Sequence, residues 1–503
     1  MSDPRRIEST YGEARLLEQR AIEDDLADRV EMVLRPLGDD TYRAAAVDGS
    51  VMFRRFVDGE RHRFETLLVQ GRDPLAVGDA GLLVGLEAER DAGFVPRAHN
   101  SYPHAYESIA QFFDAEHAPD LLLTHTAAHA AEGLLGQHGS LGVVQSRAPF
   151  IAAGAGIRGS GSIPVSARVV DIAPTVAALL GVDPHPNPIG PTGTRRPGGL
   201  LARQDGDPID DALTGDLAEH VLVVLLDGCN ANLLHDAMTS REAPNIAALV
   251  SGGLELRHGA HASLPTATLA NHTTALTGAH PGHSGVLHNT WRDRRTGTTP
   301  DLLAFDQMFW SKDHVSDRVE TLFEALQRSR PASFSSATFE FCDRGATWSS
   351  FEQVRTGVGG DLPAIEEVGG VDEAALASSE TYSFMSRVDH LSVQHTIDVW
   401  ERRHGNPLPA LSWCSLALTD EAAHESGPHG ELARAAVRDC DARVGRLLAA
   451  VERAGVRDRT AVLVIADHGM EQADPGLTGG WEAELGEAGV EHTEIGGGLV
   501  YLG

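Results

Sequence analysis

Three runs of apolar residues end against acidic side chains, and they constrain the fold more than any other feature. Val221 to Leu226 runs into Asp227, Leu411 to Leu418 is followed by Asp420, and Ala461 to Ile465 precedes Asp467. Short apolar runs of this length read as strands buried on both faces. Helical patterns lie between them. Ala243 to Val250 carries Pro244 in its first turn, Thr268 to Thr277 stops at Gly278 and Pro281, and Leu432 to Arg453 is long. Strands alternating with helices predict an α/β fold with a central, mostly parallel sheet flanked by helices on both faces. In such a sheet ligands bind outside the carboxyl ends of the strands, so the three aspartates can converge.

The stretch from Ser263 to Asn289 sets a hydroxyl, Thr268, at the start of a helix and an amide, Asn289, beyond its end. Asp420-x3-His424 places two metal-ligating groups on one face of a helical turn. Asp467 and His468 are adjacent at a strand end and can face two metal ions side by side. Aspartate oxygen and neutral imidazole are ordinary zinc ligands, and carboxylate-rich sites also accept manganese. Two cations roughly 4 Å apart would clamp an in-line phosphoryl displacement. Metal coordination would make an alkoxide of Thr268 accessible, and the helix start would offer N–H donors to phosphoryl oxygen. Asn289 can donate its amide as negative charge builds. Each motif alone has a plain reading, a turn for Asp-His-Gly or an N-cap for Thr268. Their ordered set on strand ends points to metal-dependent catalysis. His272, His280, His283 and His288 read as structural or supporting groups.

The chain resembles the alkaline phosphatase superfamily and, within it, the nucleotide pyrophosphatase/phosphodiesterase family. The residues that carry the likeness are Leu225-Leu-Asp-Gly228, Leu264-Pro-Thr-Ala-Thr-Leu-Ala-Asn-His272, Thr277-Gly-Ala-His-Pro-Gly-His-Ser-Gly285 with Asn289, Asp420-x3-His424 and Asp467-His-Gly-Met470. The resemblance implies one zinc held by Asp227, Thr268, Asp467 and His468. It implies a second held by Asp420, His424 and a further histidine, which in the family follows Asp-His-Gly in a Gly-x-His-Gly setting. About thirty residues remain after Met470, and they hold no such motif. Gly136-Gln-His138-Gly139 lies instead in the first third of the chain, followed by the strand-like Pro149 to Ile157 and the helix-like Val169 to Leu180. This predicts a circularly permuted order. Residues 1–182 correspond to the family's C-terminal part, 183–215 are a Pro- and Gly-rich linker, and 216–503 are its N-terminal catalytic part. Residues 345–394 break the rhythm as an insertion or cap, and the two parts together form one catalytic domain. His138 is then the missing ligand, with His429 and His492 as its rivals. Termini close together on a compact domain make such a rearrangement tolerable.

Reaction type follows from what surrounds Thr268. Sulfatases need Cys or Ser in a setting absent here, and cofactor-independent phosphoglycerate mutases use serine. Monoesterases add a cation to meet the extra phosphate charge. Lys312 is the only lysine, and Arg292, Arg294, Arg295 and Arg344 are the arginines near the motifs. A phosphodiester or pyrophosphate bond in a small phosphate ester or nucleotide is therefore the expected substrate, with a monoester or phosphonoacetate-type substrate as the alternative. Phe341, in Phe339 to Asp343, can line a leaving-group pocket, although packing explains it equally well. A non-catalytic binding protein on the same fold is the other class of reading. Net charge of −31 argues against a nucleic-acid scaffold or an anionic membrane as partner. Cys229, Cys342, Cys414 and Cys440 form no CxxC pair and read as free thiols. The N-terminal residues lack the apolar core of a signal peptide, and no run approaches the roughly 18 residues of a membrane span. A cytoplasmic location is the expectation, and the oligomeric state stays open.

Overall fold

The computed structural model describes residues 4–358 and 372–503, with side chains from Tyr11 onward. Part of the segment read as an insertion thus lies outside the described residues.

An eight-stranded sheet forms the centre. Its order is Trp348–Ser349, Ser335–Thr338, Leu411–Leu416, His220–Leu226, Thr460–Ile465, Phe150–Gly154, Gly253–Leu256 and Gly161–Ile163. The first five strands run parallel, in the register Leu225 opposite Ser415 and Ile465. Phe150–Gly154 runs antiparallel to both of its neighbours. His220–Leu226 sits mid-sheet, and Val221 to Leu226 are fully buried. That explains a continuous apolar run where a half-exposed strand would alternate.

The helices form two groups. Ile172–Leu180 packs with Thr268–Thr277 and Leu322–Ser329, while Glu431–Arg453 packs with Pro244–Gly252 and Glu380–Trp400. Both groups touch the sheet, as layers on its opposite faces do. The described part of 345–394 supplies the sheet's edge strand Trp348–Ser349 and most of Glu380–Trp400, which packs on Leu411–Leu416. Residues 183–215 hold no helix and only isolated bridges, yet Leu201, Gln204, Asp205 and Ile209 are buried.

A second sheet of seven strands, antiparallel throughout, stands beside the first. The two-residue turn Val47-Asp48 links Thr41–Ala46 to Gly49–Asp58 within it. This sheet also joins the two ends of the sequence. Leu499–Leu502 pairs with Leu121–His125, and Ala14 and Leu17 of the helix Pro4–Ala21 pack on Val500 and Leu502. Among the described residues, no helix is long and apolar enough to cross a membrane.

Candidate metal and catalytic site

Asp227 stands directly after the strand His220–Leu226. The next residue, Gly228, has a positive φ of 59°, and a Cβ there would meet Asp420 Oδ1 at 2.1 Å. Glycine is needed both for the turn and for the close approach of Asp420. Asp420 and His424 lie on one helix, Leu418–Ser426, which follows the neighbouring strand. Asp467 and His468 follow the strand Thr460–Ile465. The carboxyl ends of three adjacent parallel strands thus carry five of the expected ligands.

His138 arrives by a different route. The short strand Gly136–Gln137 pairs antiparallel with Glu471–Gln472, which lies just past the Asp-His-Gly turn. The pairing brings a loop from the first third of the chain against a turn near its end.

Two groups of ligating atoms result. His138, Asp420 and His424 form one, and Asp227, Asp467 and His468 the other, with the ligating atoms of each within 4.8 Å of one another. In the first, His138 Nε2 is 3.2 Å from His424 Nε2 and 3.8 Å from Asp420 Oδ1. In the second, His468 Nε2 is 3.1 Å from Asp467 Oδ2 and 3.7 Å from Asp227 Oδ1. Each imidazole spends its Nδ1–H on a backbone carbonyl: His138 on Thr266, His424 on Gly136 and His468 on Gly469. With Nδ1 so engaged, the Nε2 of each ring faces the carboxylates, as metal-ligating histidines require.

Thr268 is the first residue of the helix Thr268–Thr277, and its Oγ1 lies 3.4 Å from His468 Nε2. Asn289 accepts the N–H of Leu269 through Oδ1, at 3.0 Å, which leaves its amide N–H groups for another partner.

The electrostatics are those of crowded carboxylates. Burial, with Asp467 and Asp420 close by, pushes Asp227 well above its ordinary range. Burial lifts Asp467 to about 6. Burial and the neighbouring His468 hold His138 down to about 3, and burial takes His468 to about 4. For His424 burial opposes the charge, but Asp420 prevails and raises it to about 9. Asp420 is held below its ordinary value because His424 outweighs its burial.

The rival histidines lie elsewhere. His429 bonds Glu89, and His492 bonds the carbonyl of Val490. Phe341 is buried, its ring edge-on to His272 at 5.3 Å and to Phe351 at 5.7 Å. All four cysteines are free and buried.

His272, read from the sequence as a structural or supporting group, lies against the second group, and the structure adds Glu340 behind it. His272 Nδ1 bonds Glu340 at 3.0 Å, while Nε2 faces Asp227 at 3.7 Å and Asp467 at 3.9 Å. A signal for His272 was present: it is four residues after Thr268, on the same helical face. Nothing local marked Glu340 for this place.

The family described as Type I phosphodiesterase / nucleotide pyrophosphatase matches residues 221–502. His138 lies outside that span. Ectonucleotide pyrophosphatase/phosphodiesterase family member 3 of Rattus norvegicus is 23% identical over 252 residues, 50% of this chain and 25% of the relative. The chain therefore spans about a quarter of the length of that curated relative. Among solved structures, murine ectonucleotide pyrophosphatase/phosphodiesterase 5, in an inactive form complexed with AMP, is 18% identical with a TM-score of 0.34, over 50% of this chain and 58% of that one. The human counterpart is 15% identical with a TM-score of 0.33, over 50% and 57%. With more than half of its length matched, the chain belongs to the type I phosphodiesterase/nucleotide pyrophosphatase family, within the alkaline phosphatase superfamily.

Proposed function

We propose that this protein hydrolyses phosphodiester or pyrophosphate bonds in small phosphate esters or nucleotides, with Thr268 as nucleophile. The observation that carries the reading is the position of the Thr268 hydroxyl, at a helix start and 3.4 Å from His468, beside two groups of metal-ligating atoms.

The donor set fits two divalent cations. Asp227 Oδ1, Asp420 Oδ1, Asp467 Oδ2 and His272 Nε2 are buried without a hydrogen-bond partner, a costly arrangement unless a cation or proton meets them. Asp227, Thr268, Asp467 and His468 would hold one ion, and His138, Asp420 and His424 the other. The mixed oxygen and nitrogen donors suit zinc, and manganese is the next fit. Such ions, when bound, lower the pKa of a coordinated hydroxyl and offset phosphoryl charge.

The chain's own groups supply the rest. The fold presents Thr268 at the first position of its helix, where its hydroxyl faces the ligand groups rather than capping the backbone. Asn289, anchored through its oxygen to Leu269, keeps its amide N–H for a non-bridging phosphoryl oxygen. Burial of Thr268 and Asn271 on this helix limits water around the hydroxyl.

The cations near the motifs support a diester over a monoester. Arg344 is held by Glu324 and the carbonyls of Val315 and Val319, Arg294 by Asp120, and Lys312 by Glu352. Arg292 is half-buried and bonds Thr493, and Arg295 is exposed beside Asp293. Each of these five has a partner of its own, which favours the less charged diester over a dianionic monoester.

The permuted order belongs to the same reading. It is supported by the pairing of Gly136–Gln137 with Glu471–Gln472, by Phe150–Gly154 lying beside Thr460–Ile465 in the central sheet, and by a family match that begins at residue 221. The test is zinc-supplemented hydrolysis of a bis-aryl phosphate diester beside the matching aryl monoester. Faster diester turnover is expected. Faster monoester turnover would return attention to the arginines, and no turnover of either would overturn the reading.

A further inference from the structure

Thr266 makes three hydrogen bonds to three consecutive residues of the loop that carries His138. Its carbonyl accepts His138 Nδ1–H at 2.7 Å. Its hydroxyl accepts the N–H of Gly139 at 2.8 Å and donates to the carbonyl of Ser140 at 2.9 Å. Thr266 is fully buried and stands two residues before Thr268. The loop needs fixing: Gly139 has a φ of +123°, and glycine is the residue freest to leave such a conformation.

We infer that Thr266 is a positioning residue that pins the His138 loop to the nucleophile loop, and so sets the geometry of the His138, Asp420 and His424 group relative to Thr268. The inference rests on the reading of His138 as a metal ligand. It assigns a division of labour within one side chain. The backbone carbonyl fixes the tautomer and ring of His138, and it survives any substitution at this position. The hydroxyl fixes the loop behind that ring, and it alone is open to mutation. Without it the half-buried Gly139 N–H loses its acceptor and the Ser140 carbonyl loses a donor, so the loop shifts to find others. Groups that orient a metal ligand in this way typically account for about 10–100-fold in metal affinity. Asp227, Asp467 and His468 receive no hydrogen bond from Thr266 or from residues 138–140, and His468 meets the loop through the stacked ring of His138, so the second group is disturbed less than the first.

The experiment titrates zinc out of the full-length protein with a graded chelator and counts zinc per chain by mass spectrometry, beside the melting temperature of the metal-free form. In Thr266→Val one zinc equivalent should weaken by about 10–100-fold while the other weakens distinctly less. Thr266→Ser, which restores the hydroxyl, should return the wild-type curve, and Thr266→Ala should repeat the Val result if Val packs poorly. Two equivalents of wild-type affinity in both Val and Ala variants would overturn the inference. So would a Ser variant as weak as Val, or equal loss of both equivalents together with a lowered metal-free melting temperature, which describes general unfolding. His138→Ala run in parallel separates the two claims. If it weakens one equivalent and Thr266→Val does not, only the role of Thr266 fails. If it weakens neither, the ligand reading itself fails.

Discussion

The imidazoles of His138 and His468 lie face to face, with 3.8 Å between ring centroids and 18° between planes. Their residue numbers are 330 apart, and each belongs to a different group of ligating atoms. The stack makes the two groups one structure. A shift of the loop around His138 is felt at His468, whose Nε2 faces Thr268. Both rings are held neutral chiefly by burial, with His468 adding to it for His138, and His424 and His272 adding to it for His468.

His138→Ala should lose one zinc equivalent and with it most turnover, because the Asp420 and His424 pair then lacks a third ligand. His429→Ala and His492→Ala should keep both equivalents, since those side chains bond Glu89 and the Val490 carbonyl instead. Zinc counting on the three purified variants decides it. Loss of metal in the His429 or His492 variant, with His138→Ala intact, would sink the permuted reading.

Asn289→Ala should lower kcat by about 10²–10³-fold, the usual cost of one oxyanion donor, with zinc content unchanged. Asn289→Asp keeps an acceptor for Leu269 N–H but brings negative charge to the phosphoryl group, so it should be at least as slow. Steady-state kinetics on the diester tests this. An Asp variant near wild-type rate would mean that Asn289 serves only to hold the helix.

His272→Gln should weaken the Asp227, Asp467 and His468 group more than the other, because His272 Nε2 faces two of its carboxylates at 3.7 and 3.9 Å. Glu340→Gln, which alters the group behind His272, should act in the same direction and less strongly. Chelator titration of each variant reads the effect. Selective weakening of the His138 group instead would contradict it.

A pH effect should come from Glu471. It is fully buried, with Gln145 as its hydrogen-bond donor and with Glu31 and Glu89 near, and burial raises it to about 8. The folded protein holds this proton while the unfolded chain releases it near 4.5. Stability therefore falls as pH rises from about 4.5 to about 8, then levels. Glu471→Gln keeps a neutral side chain and should be spared that loss, on the order of a few kcal/mol by linkage. Chemical denaturation at pH 5 and pH 8 checks the sign. A variant that loses as much stability as wild type over this window would refute the assignment.

Much of the candidate site was legible because its potential metal-ligating groups sit at element ends that sequence marks clearly. Asp227, Asp420 and Asp467 follow buried strands, and Thr268 and Gly278 bracket a helix found with those bounds. His138 was legible only through its glycine-flanked motif, since the pairing of Gly136–Gln137 with Glu471–Gln472 has no local signature. The seven-stranded sheet was less legible. Its order depends on Leu499–Leu502 pairing with Leu121–His125, a contact set by packing rather than by any nearby turn. Glu340 and Thr266 escaped for the same reason: their partners, His272 and the 138–140 loop, are far away in sequence.

The most direct test of the account is the Thr268 hydroxyl. Wild type, Thr268→Ser and Thr268→Ala would be compared on the bis-aryl diester with zinc present, with zinc per chain counted in each. The account predicts loss of turnover in the Ala variant, substantial turnover in Ser, and zinc still bound in all three through the Asp and His ligands. Turnover in Thr268→Ala close to wild type, with zinc bound, would contradict a threonine nucleophile.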